Sequence, residues 1–119
     1  MHKMSSSRAL RDEECELIRF LLSSIGAKVD KERATSRVVD MQDGQMGSIR
    51  FVEAKPPLGK TLVEAQYRDS DGVLVSITVN ADSDDRLFEI DFWKVDFSSL
   101  KQYPRPKDLF AVTRLTASR

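Results

Sequence analysis

The apolar positions of the chain keep two different periods, one on each side of residues 27–36. From Asp12 onward Leu17, Ile18, Leu21, Leu22 and Ile25 recur at helical spacing, with Asp12, Glu13 and Glu14 suited to a helix start and Gly26 to its stop. The spacing predicts an amphipathic helix over Asp12–Ile25, whose apolar stripe must cover another surface. Residues 27–36 follow neither period. From Arg37 the pattern is that of strands and tight turns: Val38–Met41, an Asp43-Gly44 hairpin signal, and Gln45–Val52 as the returning strand. Lys55-Pro56-Pro57-Leu58-Gly59 then breaks the sheet, because proline cannot donate to a ladder.

Alternation is cleanest on either side of Asp71-Gly72, a second hairpin signal. Val73, Val75, Ile77 and Val79 share one face, joined across the turn by Val63, Ala65 and Tyr67, while Glu64, Gln66 and Arg68 point away. The stretch Leu87–Phe97, LFEIDFWKVDF, holds the single tryptophan, three of the six phenylalanines and three carboxylates. Its aromatic and β-branched density predicts a strand near the middle of a sheet, with Phe88, Ile90 and Phe92 inward and Glu89, Asp91 and Trp93 outward. The predicted fold is α+β: one N-terminal helix packed on one face of a five-stranded antiparallel meander sheet. It divides into a flexible N-terminus at 1–9, a single domain at 10–100, and a C-terminal extension at 101–119 that packs back on the domain. Leu109–Leu115 (LFAVTRL) reads as either strand or helix.

The segments RALRDEECELIRFLL, DGQMGSIRF, GKTLVEAQYRDSDGVLVSITVN and LFEIDFWKVDFSSL together resemble a family of small single-domain bacterial proteins known only as a domain of unknown function. The resemblance spans roughly residues 8–106. It implies a bacterial source and a free-standing domain, and it brings no activity, cofactor or catalytic residue.

With 119 residues the chain suits one domain that buries its own core. Its 19 basic and 19 acidic residues cancel, yet residues 40–100 carry a net charge of −6 between mildly basic ends. That acidic middle opposes nucleic-acid binding, and no aromatic platform interleaved with lysine or arginine supports it. Cys15, the only cysteine, excludes an intrachain disulfide and a multi-cysteine zinc site. No apolar run is long enough to cross a bilayer, and the start lacks a secretory apolar segment, so a soluble cytoplasmic protein is expected.

Candidate chemistry is sparse. The single histidine, His2, lies in the terminal segment, away from any triad partner. Asn80, Asp82 and Asp84 imitate the start of a calcium loop, but Asp85 occupies the place of its glycine. No residue is assigned a catalytic, cofactor-binding or metal role, and no cofactor is expected. The candidate face consists of Trp93, Asp91, Glu89, Glu64, Arg68 and Arg50. Carboxylates two apart on a strand, such as Glu89 and Asp91, can divide acid and base work or simply pair with cross-strand arginines. An outward tryptophan among charges is a common interface anchor, unless the tail, Leu62 or Leu74 covers it. The expected function is a non-enzymatic interaction module, of the antitoxin or toxin-immunity kind, binding another protein through an acidic sheet face. The alternative is a small ligand-binding domain or enzyme using the same carboxylates. A homodimer follows if Val38–Met41 is an exposed edge.

Overall fold

A computed structural model describes residues 7–26, 37–42, 44–54, 58–84 and 86–115. Along the chain run β1 (Arg8–Ala9), α1 (Asp12–Ser24), β2 (Arg37–Asp40), β3 (Ile49–Phe51), β4 (Leu58–Arg68), β5 (Leu74–Asp82), β6 (Leu87–Lys94), a 3-10 turn (Pro106–Asp108) and β7 (Phe110–Arg114). The strands form one antiparallel sheet in the order β1-β2-β3-β6-β5-β4-β7. The aromatic strand β6 stands at its centre, as its composition predicts.

The helix forms where its period places it. The backbone N–H of Arg11 donates to Glu14 Oε1 at 2.8 Å, satisfying one of the donors that every helix start leaves open. Glu14 is itself buried and accepts two bonds of 2.9 Å from the Arg8 guanidinium. Arg8 also donates to both Asp40 oxygens, so one side chain ties β1 to α1 and β2. At the far end Gly26 takes φ +76° and its N–H returns to Ser23 O, a stop that glycine makes without strain. Leu17, Ile18, Leu21 and Leu22 pack on the inward residues Val63, Ala65, Tyr67, Val75, Ile77, Val79, Ile90 and Phe92 to form one core.

Three expectations are corrected. The sheet has seven strands, not five, and it is not a simple meander. β3 pairs with β6, through Ile49–Ile90 and Arg50–Glu89, rather than with β4. β3 and β4 are not neighbours, since β4 lies on the far side of β5, while β4, β5 and β6 form the true meander. Residues 55–57, with both prolines, lie outside the described residues. Arg8 and Ala9, assigned from the sequence to a flexible terminus, pair with β2. That pairing reaches only Arg37 and Val38, so the edge expected at Val38–Met41 is covered at its first residue. Residues 110–114, left open between helix and strand, add β7 to the edge of β4.

The β2–β3 hairpin is wider than an Asp-Gly turn would make it. Met41 N–H donates to Ser48 O, and β3 begins only at Ile49. Asp43 lies outside the described residues. Gly59 has a stricter reason to be glycine. A Cβ there would fall 2.6 Å from the Asp82 carbonyl oxygen, at a point where the β4–β5 register shifts.

Candidate functional site on the open face of the sheet

Because α1 occupies one face of the sheet, the outward residues of its central strands form the other. Strand register lines them up in transverse rows. One row runs Thr61, Asn80, Glu89, Arg50; the next Glu64, Thr78, Asp91; the third Gln66, Ser76, Trp93. The structure thus brings Glu89 against Arg50, places Glu64 and Asp91 in one row two strands apart, and sets Trp93 beyond them.

The first row is a closed hydrogen-bond chain. Thr61 Oγ1 donates to Asn80 Oδ1 at 2.8 Å, Asn80 Nδ2 donates to Glu89 Oε2 at 3.0 Å, and Arg50 Nη2 reaches Glu89 Oε1 at 3.3 Å. Arg50 also lies 4.8 Å above the ring of Phe88. Phe88 was expected to line the core with Ile90 and Phe92. Instead it is the extra residue where the β5–β6 register shifts between Asn80 and Ala81, and it stands apart from the core cluster although buried. Glu89 and Asp91 do not act as a pair, since each is held by different neighbours. Asp91 Oδ1 accepts from the Ser48 hydroxyl at 3.1 Å, and that hydroxyl also receives the Phe92 N–H. Glu64 has no ion-pair partner among the described residues. Arg68 turns to its own hairpin and donates to Gly72 O at 3.1 Å.

Trp93 is 56% exposed and Phe97 67% exposed, with ring centroids 6.1 Å apart. Neither the described part of the tail nor Leu62 and Leu74 bury the tryptophan. Phe97 sits in the left-handed region at φ 63°, closing a turn in which its N–H donates to Lys94 O. That conformation is costly for a bulky residue. Asp96 braces the turn from the other side, accepting from the Ser98 N–H and hydroxyl, and those bonds hold its carboxyl below the usual range. With Val95 also exposed, the end of the face carries an apolar patch beside the carboxylates.

Beneath the patch lies a cluster that was not anticipated as part of the site. Lys94 is fully buried, with Nζ 2.8 Å from Asp69 Oδ2, 2.7 Å from Asp71 Oδ2 and 3.1 Å from Ser99 O. Asp69 also accepts the N–H groups of Ser70, Lys101 and Gln102. Burial alone pushes the Lys94 ammonium down, but the hydrogen bonds to Asp69 and Asp71 outweigh it and the net shift is upward. Burial likewise pushes Asp69 up, and its bonds from Lys94 and Lys101 bring it below the ordinary value. Asp71 is lowered by Lys94. The signal was present in the sequence, since alternation through Phe92 carries Lys94 to the inward face and Asp69 and Asp71 sit in the facing hairpin. The cluster anchors the turn that presents Trp93 and Phe97.

Glu64, Glu89, Asp91 and Trp93 line neither of two shallow depressions elsewhere. One, about 350 Å³, is bordered by Tyr67, Arg68, Ser70, Gln102, Tyr103, Asp108 and Phe110. The other runs along α1 past Leu10, Asp12, Cys15, Glu16 and Arg19. Burial pushes the Cys15 thiol up, which opposes a nucleophilic role. Asp82 in the calcium-like loop turns its carboxylate to the N–H groups of Asp84 and Arg86, and the described residues contain no cluster of three metal-ligating side chains. No described helix is long and apolar enough to cross a membrane.

No curated protein and no solved structure matches the chain. One family model does, over residues 7–104, which takes in β1 to β6, the helix and the whole open face. The chain is a member of the family described as "Domain of unknown function (DUF6984)".

Proposed function

We propose that this domain is a non-enzymatic interaction module that holds another protein against the open face of its sheet, in the manner of an antitoxin or immunity protein of a bacterial cytoplasm. The observation that carries this reading is the exposed Trp93–Phe97 pair, held outward on a braced turn beside Asp91 and Glu64. Apolar anchors of this kind supply most of the energy of an interface, and nearby charge selects the partner. The partner's matching surface would offer a pocket for the aromatic pair and lysine or arginine side chains for the carboxylates. Catalysis at the same carboxylates draws no support from the geometry, because Glu89 is occupied by Asn80 and Arg50 and the row beside it lies on an open face.

The test is affinity capture from the source cell with the tagged full chain, set beside Trp93→Ala/Phe97→Ala and Glu64→Lys variants shown to be folded by circular dichroism. A protein retained by the wild type, lost with the aromatic variant, and weakened by both Glu64→Lys and added salt supports the reading. Capture that is indifferent to all three changes sinks it.

A further inference from the structure

The outermost strand on the β4 side is loosely built. All five residues of β7 are exposed, whereas β5, on the other side of β4, has most of its residues buried. Its ladder slips between Glu64 and Gln66, where Ala111 and Val112 stand opposite Ala65 alone. Ala111 takes φ 54°, a left-handed position that penalises any Cβ and that bulges usually give to glycine. The facing side chains match poorly as well. Thr113 stands opposite Glu64 and the arginine of Arg114 opposite the fully buried Val63. The family match ends at residue 104, so β4 lies within it and β7 outside.

We propose that β7 is a displaceable cover, and that the edge of β4 beneath it docks an extended segment of another protein bearing lysine or arginine opposite Glu64 and an apolar residue opposite Val63. A regular antiparallel strand would need no bulge beside Ala65. Its basic residue would give Glu64 the ion-pair partner that Thr113 cannot. Its apolar residue would lie against Val63, where β7 places a charge. Main-chain bonds would supply affinity and the alternating side chains the choice of partner. Left bare, the same edge would template aggregation, which gives β7 its resting role. This edge shares Glu64 with the open face but not its aromatic pair, because Trp93 lies on β6, two strands away, so the clamp and the Ala111→Gly variant report on the edge alone.

The test uses the full chain with Cys15→Ser and a removable clamp, Gln66→Cys/Phe110→Cys, at facing positions of β4 and β7. The probe is a capped, fluorescein-labelled eight-residue peptide of alternating valine and lysine, followed by fluorescence anisotropy against a block-sequence peptide of the same composition. The alternating peptide should bind the reduced protein, and oxidation of the clamp should weaken it at least about tenfold. Glu64→Lys should weaken it by a similar factor at low salt. Ala111→Gly, which relieves the strain that loosens β7, should weaken it about fivefold. Equal binding by the oxidised and reduced forms overturns the proposal, as does equal binding of the two peptides or no binding to the reduced form. So does hydrogen exchange in β7 as slow as in β5, which would show that the cover does not open.

Discussion

Lys94 and Asp69 face each other with no exposed surface on either side chain, Nζ 2.8 Å from Oδ2, where the end of β6 meets the β4–β5 turn. A buried pair of this sort is weak evidence for net stability, but removing one partner strands the other. Lys94→Met should therefore lower the melting temperature by about 10 °C or more. Asp69→Asn should cost more than Asp71→Asn, because Asp69 also holds three backbone N–H groups while the Asp71 side chain is 25% exposed. Thermal melts of the three variants check the ranking, and an Asp71→Asn variant as damaged as Asp69→Asn contradicts it.

This cluster, with Asp40 and Tyr67, sets two limits on stability against pH. Asp69, Asp71 and Asp40 have folded values below the ordinary carboxylate value of 3.8. Their contribution is present above about pH 4 and is lost as pH falls through those lower folded values, because the unfolded chain takes up protons first. Lys94 is raised above 10.5, so its contribution is complete below that pH and lost as pH rises through the folded value. Burial pushes Tyr67 up in the same direction, with its hydroxyl donating to Gln102 O, so its share is lost above about pH 10. Denaturant midpoints from pH 2 to 12 should show a plateau with a fall at each end. In Lys94→Met the acid fall should be shallower.

Two glycines should fail for different reasons. Gly59→Ala drives a Cβ to 2.6 Å from the Asp82 carbonyl oxygen, backbone against backbone, and should cost about 1–3 kcal/mol. Gly72 has nothing within 4 Å of an added Cβ but sits at φ +83°, so Gly72→Ala should cost about 1 kcal/mol. Urea titration of the pair would show whether crowding outweighs the left-handed conformation.

Arg8 should matter more than its place beside the terminus suggests. Arg8→Ala removes two bonds to the buried Glu14 and the link to Asp40, and should cost about 1–3 kcal/mol. Hydrogen exchange should locate the loss in the first turn of α1 and in β2. An effect confined to Arg8 and Ala9 would show that β1 is only a flap.

Within the core, Leu21→Ala should cost about 2–5 kcal/mol, because Leu21 is fully buried between the helix and the sheet. Phe20→Ala, one residue earlier and 39% exposed, should cost far less, and equilibrium unfolding of both compares the two faces of one helix.

The sequence by itself was enough to determine the helix and the alternating faces of β4, β5 and β6 up to the bulge at Phe88, and it put Trp93 on the outward side while leaving open whether anything covers it. Those features rest on local period, which burial on one side imposes residue by residue. It also carried the resemblance to a family of unknown function, through segments that the matched span contains. Tertiary structure alone decided the rest. Arg8–Ala9 and Phe110–Arg114 are too short or too irregular to carry a period, and they become strands only because β2 and β4 offer unpaired edges. The pairing of β3 with β6 depends on a crossover that no local signal encodes. Phe88 leaves the core through a one-residue bulge that breaks the alternation. The burial of Lys94 was implied by that alternation, yet its partners Asp69 and Asp71 come from a distant turn, and only the folded sheet brings them within hydrogen-bond reach.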